Sequence, residues 1–143
     1  MTANMDNSIE QALMLAAEAH FGQVDKLGRP YILHVIAVVN SCETLPQKIV
    51  AALHDIVEDT SVTLGDLEKY FPAEIVAAVD AITHREDEAR EAYLQRVKAN
   101  ALALAVKKAD VAHNMSRLAA LEGTEHHSRL VAKYQETTRI LYS

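Results

Sequence analysis

The 143-residue sequence predicts an all-α fold in a single domain, and three observations carry that expectation. Half of the residues are hydrophobic, with many Ala, Leu and Val and only four glycines and three prolines, a composition that favours helices. No stretch of useful length alternates apolar and polar residues with the period of a strand. Residues that open helices recur along the chain: Ser8 before Gln11, Pro30, Pro46, Thr63 before Asp66, and Pro72.

Taken in order, Ser8 and Gln11 read as a capping box for a first helix that runs toward His20 and stops at Gly22. "GQVDKLGRP" is a loop. Pro30 opens a second helix through about Thr44, and Pro46 a third that ends near Thr60. Thr63 and Asp66 cap a short helix to Tyr70. Pro72 starts another, with Ile75, Val76, Val79 and Ile82 on one side. After the charged "HREDEAR" come helices around Tyr93 to Lys98, from Leu102 to Leu121, and from about Glu125.

Several function classes are disfavoured. No run of eighteen apolar residues is present, so no membrane span is expected, and "MTANMDNSIE" lacks the basic and apolar regions of a secretory signal. Cys42 is the single cysteine, which rules out a disulfide within the chain and suits a reducing cytoplasm; its expected role is a small core filler. The net charge of -6 argues against nucleic-acid or membrane-surface binding. An anionic small molecule would need a local basic cluster, for which Lys26, Arg29, Lys107, Lys108, Arg117 and Lys133 are candidates. Oligomeric state is left open.

"LHDIVEDT", residues 53–60, carries the densest chemistry. On a wheel of about 100° per residue, Ile49, Val50, Leu53, Ile56 and Val57 share one arc, and His54, Asp55, Glu58 and Asp59 the other. Three carboxylates at a helix C-terminus oppose its dipole and repel one another. A bound divalent cation would remove both objections; a solvated polar face is the plain alternative. On the long later helix, Lys107, Asp110 and Asn114 share a narrow arc among apolar residues. His34 sits in the apolar "YILHVIAVV". His34, His54, Asp55 and Asp110 would make a mixed nitrogen and oxygen site suited to Mn²⁺, Fe²⁺ or Zn²⁺. His113 falls off the Asp110 arc and is not assigned to the metal. His20 is expected to cap a helix end, and His84 to lie on the surface. Thr83 and Arg85 are candidates for a pocket mouth. Tyr134 is a candidate to stack on a base, with ordinary packing as the alternative.

These residues resemble the H…HD…D signature of the HD phosphohydrolase superfamily. The longer strings "GQ…GRPYILH", "ALHDIVEDT", "TLGDL" and "VKKADVAHNMSRL" are similar to the hydrolase domain of RelA/SpoT-type enzymes, which remove the 3′-pyrophosphate from (p)ppGpp. The similarity runs from about Ser8 to the C-terminus, as in a stand-alone small alarmone hydrolase. The resemblance implies that His34, His54, Asp55 and Asp110 bind one Mn²⁺ and that Glu58 and Asp59 orient and deprotonate the attacking water. It implies substrate contacts for Asn114, for Lys107 near the phosphates and for Lys26 near the nucleotide. The sequence departs from the family at Asp25, where the long enzymes carry an arginine that packs on the base, at Val35 and at Val111. The expected activity is release of pyrophosphate from (p)ppGpp or (p)ppApp. The alternatives are an HD-type phosphatase for another nucleotide phosphate such as NADPH, a hydrolytic antitoxin to an alarmone synthetase, and a binding module.

Overall fold

A computed structural model describes residues 5–143. Among the described residues the regular elements are all helices, with one lone antiparallel bridge between Val24 and Pro30. The order is α1 (Met5–Ala19), α2 (Ile32–Ser41), α3 (Leu45–Leu53), α4 (Ile56–Asp59), α5 (Leu64–Glu68), α6 (Ala73–Ile82), α7 (Arg90–Lys98) and α8 (Ala101–Ser116), then a 3-10 turn (Leu118–Leu121) and α9 (Glu125–Leu141). No helix described is long and apolar enough to cross a membrane.

Several expected helix starts are present. Thr44 and Gln47 form a reciprocal capping box ahead of Pro46, Thr63 and Asp66 form another, and Pro72 precedes α6. The two capping boxes satisfy backbone N–H groups that a first turn leaves unpaired, whereas Pro72 makes no side-chain cap. Ser8 is different: it lies inside α1 with its side chain buried, so it does not open that helix.

Two expected helices are broken, and each break has a local cause. The third does not run to Thr60. In a continuing helix the Ala51 carbonyl would accept the N–H of Asp55. Instead it takes the His54 ring Nδ1 at 2.6 Å and the His54 backbone N–H at 3.4 Å. Asp55 turns off at φ -109°, ψ 1°, and only the single turn of α4 follows. Such competition by a side chain for a helix carbonyl ends helices. Similarly, α8 stops at Ser116, not Leu121. The Ser116 hydroxyl bonds to the His113 carbonyl at 2.6 Å, and the Arg117 N–H drops to the Asn114 carbonyl, a 3-10 pattern.

The core sits around α3, which packs against α1, α2, α6 and α8 and buries Ile49, Val50, Ala51, Ala52 and Leu53 in succession. A helix buried on every side must be apolar all round. Each fully buried Ile or Leu here stabilises by roughly 1.5–3 kcal/mol. Cys42 joins this core, as expected, and burial pushes its thiol pKa up. The position of α3 sets the site, because its C-terminal break lies beside α2 and α8.

Candidate metal centre and adjoining cleft

Three segments far apart in sequence meet at one point. His34 comes from the first turn of α2, His54 and Asp55 from the break after α3, and Asp110 from the buried stripe of α8 that also carries Ala103 and Val106. One ligand atom from each of the four lies within 4.8 Å of all the others. His34 Nε2 is 2.9 Å from Asp110 Oδ1. His54 Nε2 lies 3.0 Å from Asp55 Oδ2 and 3.3 Å from Asp110 Oδ1. Adjacent residues on a regular helix diverge by about 100°. The break is what lets both His54 and Asp55 face the same place.

The donor set fits a divalent cation. His54 is 2% exposed, and its Nδ1 donates to the Ala51 carbonyl, which leaves the Nε2 lone pair aimed at the carboxylates. Despite their closeness, neither carboxylate is in line for a hydrogen bond, so that nitrogen is buried without a hydrogen-bond partner. Two imidazoles and two carboxylates suit a borderline metal. The protonation balance points the same way. Burial alone would push the His54 pKa down, yet the Asp55 and Asp110 carboxylates outweigh it and hold it well above the usual range. Burial alone would raise Asp110, but Lys107 and the two histidines bring it well below the usual carboxylate range. Without a metal the two carboxylates thus favour a positive charge on His54, which a bound divalent cation would replace.

A second layer fixes these groups. Lys107 Nζ donates to Asp110 Oδ2 at 3.2 Å, and Asn114 Nδ2 to Asp110 Oδ1 at 3.3 Å, which realises the 107/110/114 arc on α8. The Tyr31 hydroxyl donates to Asp55 Oδ2. His113, unassigned from the sequence, stands with Nδ1 2.7 Å from His34 Nδ1. For His34 to offer Nε2 as a ligand its Nδ1 must carry the proton and donate it to His113, a tautomer-setting role common beside metals. Burial and then the charges of His34 and Arg117 lower the His113 pKa, which favours the neutral acceptor. Arg117 closes this layer, bonding Asn114 Oδ1 and, at 3.0 Å, Asp25 Oδ2.

Beside the cluster opens a cleft of about 570 Å³. Its wall includes Lys26, Tyr31, Asp59, Asn114, Arg117, Lys133 and Tyr134, with Leu121 and Leu130 as apolar lining. Tyr31 and Asn114, each bonded to a cluster carboxylate, join cleft and cluster. Burial, then the charges of Arg90, Lys107, Arg129 and Lys26, lowers the Lys133 pKa. Burial, then the charges of Asp55 and Glu58, raises Asp59 to about 6.

The sequence pattern of the HD domain matches residues 12–141. The chain belongs to the HD domain family. It is 30% identical over 130 residues to the bifunctional (p)ppGpp synthase/hydrolase SpoT of Escherichia coli, covering 79% of this chain and 18% of that protein. It is 32% identical over 127 residues to a probable guanosine-3′,5′-bis(diphosphate) 3′-pyrophosphohydrolase of Synechocystis, covering 78% of this chain and 17% of the relative. The chain thus spans less than a fifth of the length of these relatives. Among solved structures, a metazoan ortholog of SpoT that hydrolyses ppGpp superposes with a TM-score of 0.80 at 24% identity, covering 94% of this chain and 85% of that one. That likeness is one of fold.

Within this HD domain the remaining candidates are distributed unevenly. Lys26, Asn114 and Tyr134 reach the cleft, whereas Lys107 is committed to Asp110 and does not appear on the cleft wall. Asp59 faces the cleft; Glu58 accepts the His84 backbone N–H at 2.5 Å, on the side of the α6–α7 loop. Thr83 and Arg85 do not line it: the Thr83 hydroxyl bonds the Val79 carbonyl, and Arg85 pairs with Asp80. Asp25 accepts the N–H groups of Leu27 and Arg29 and so organises the loop as well as binding Arg117. His84, expected on the surface, stacks on Tyr93, and His20, expected to cap a helix end, is 2% exposed. The role of His113 had no local signal, because its partner His34 lies on another element.

Proposed function

We propose that this HD domain is a metal-dependent pyrophosphohydrolase that removes the 3′-pyrophosphate from a guanosine or adenosine alarmone, (p)ppGpp or (p)ppApp. The observation that carries this reading is the junction of the buried His/Asp donor cluster with a cleft that presents Lys26, Arg117 and Lys133 on a chain of net charge -6. Local positive charge from Lys26 and Lys133 on an otherwise acidic protein suits a multiply charged nucleotide and not nucleic acid or a membrane. The names of the relatives support the substrate class.

In this reading His34, His54, Asp55 and Asp110 hold one divalent ion, proposed as Mn²⁺. When bound, such an ion lowers the pKa of water and stabilises charge on phosphoryl oxygens. Asp59 takes the proton of the attacking water. Its raised pKa of about 6 suits a base that must be ionised near neutrality yet still hold a proton briefly. Glu58 keeps one carboxylate oxygen for holding the water, the other being bonded to His84. The water attacks the phosphorus joined to the ribose 3′ oxygen, that P–O bond breaks, the 3′ oxygen leaves and takes up a proton to become the hydroxyl, and pyrophosphate is released. Lys26 and Asn114 contact the substrate, and Tyr134 offers a face for the base. Lys107 contributes positive charge beside the phosphates through its place on Asp110. Most of the catalysis is positioning and electrostatics.

The test is a panel of ppGpp, ppApp, NADPH and nucleoside monophosphates with Mn²⁺, Fe²⁺ or Zn²⁺, with metal content measured on the same sample. The expected result is metal-dependent pyrophosphate release from an alarmone. Preferred phosphate release from NADPH would replace the substrate, and no turnover by fully loaded protein would leave only a binding module.

A further inference from the structure

We propose that His20 and Gln23 form a strut that holds Asp59 at the edge of the cleft, making both of them positioning residues for the reaction. The inference rests on Asp59 being the base. It starts from a weakness in the fold. The α4 helix is a single turn, Ile56–Asp59, and one turn makes too few hydrogen bonds to hold itself. Its start is anchored through Asp55 in the metal cluster. Its end requires another anchor, because the last carbonyls of a helix have no partner within it.

Gln23 supplies that anchor. Its Nε2 donates to the Asp59 carbonyl at 3.0 Å across thirty-six positions of sequence. Gly22, at φ 83°, turns the chain out of α1 so that the Gln23 N–H returns to the His20 carbonyl. An amide side chain can present either end, however, and an oxygen facing the Asp59 carbonyl would repel it. His20 selects the end. Its Nδ1 lies 2.9 Å from Gln23 Oε1, and with that oxygen accepting the ring N–H, the NH₂ must face Asp59. No other hydrogen bond restrains the ring: Nε2 is buried and unpartnered, and one face packs on Tyr31 with centroids 5.2 Å apart. A buried imidazole with one partner is a costly core filler. It makes sense as a fixed orienting group. Tyr31 in turn bonds Asp55, so the strut braces both ends of the one-turn helix.

The test uses two removals and one replacement. His20→Phe keeps the ring and removes the donor, Gln23→Met keeps the length and removes the amide, and His20→Asn returns an N–H near the Nδ1 position. In metal-free protein, amide exchange at Asp59 and Thr60 should rise about tenfold or more in the two removals, with Leu53 unchanged. In the loaded enzyme kcat should fall about tenfold with KM within twofold, and His20→Asn should recover most of it. In an Asp59→Asn background the same removals should cost less than about twofold, because positioning a base that is gone gains nothing. Unchanged exchange at Asp59 and Thr60, or full additivity with Asp59→Asn, overturns the strut. The exchange arm needs no substrate. A chain that cleaves no alarmone would therefore sink the functional reading while the strut is still decided on its own.

Discussion

The donor cluster and the cleft beside it are built by opposite means. In the cluster each ligand is buried or half-buried and fixed by its own partner: the Ala51 carbonyl for His54, His113 for His34, Tyr31 for Asp55, and Lys107 with Asn114 for Asp110. The cleft wall is looser. Lys26 and Lys133 present long cationic side chains beside Tyr134, and Arg117 is the wall cation most firmly held, by Asp25 and Asn114. The contrast teaches where energy of two kinds resides. On the proposed function, buried, preorganised charge serves the chemical step, and adaptable surface charge serves capture of the substrate.

Substitutions should separate the two regions, and the largest effects belong to the cluster. His54→Ala should lose the metal, measured as bound ion per chain, and more than about 10³-fold in activity, since metal stabilisation is worth several kcal/mol. Asp59→Asn should keep the metal and lose roughly 10²–10⁴-fold in kcat. It also has a pH signature. Burial, then Asp55 and Glu58, raises the Asp59 pKa to about 6, and a base works only when deprotonated. Activity should therefore fall as pH drops through about 6, or lower once a cation sits nearby, and that acid limb should vanish from the residual rate of Asp59→Asn. Normal turnover by metal-loaded Asp59→Asn would remove its assignment as the base. His113→Phe should weaken metal binding by about 10–100-fold in a chelator competition, as loss of a ligand's hydrogen-bond partner does elsewhere. The smallest change belongs to the cleft. Lys133→Ala should raise KM about tenfold, the value of a charge-assisted hydrogen bond, with kcat nearly unchanged. A kcat defect there equal to that of a cluster variant would erase the distinction between the regions.

Much of this could be read from the sequence because it depends on local rules. The caps at Thr63 and Pro72 act within a few residues, and the Lys107, Asp110 and Asn114 arc follows from the helix period alone. The quartet His34, His54, Asp55 and Asp110 was legible as chemistry and does converge. The route to it was not. A continuous wheel over residues 49–59 would send His54 and Asp55 about 100° apart. The break that reunites them arises from the His54 ring taking the Ala51 carbonyl, a choice that composition does not reveal. His113 and Lys107 show the other limit. Nothing near His113 in the chain gives it a task, because its partner His34 is 79 positions away. Lys107 reads as a phosphate contact, although its ammonium lies on Asp110.

The segment between α1 and α2 is tied down at three places: Gln23 to Asp59, Asp25 to Arg117, and Tyr31 to Asp55. Lengthening or shortening it by even one residue would pull at least one rivet. New substrate preferences in this scaffold should therefore arise through exchanged side chains at unchanged spacing, with Lys26 and Leu27 as the most adjustable positions between the rivets.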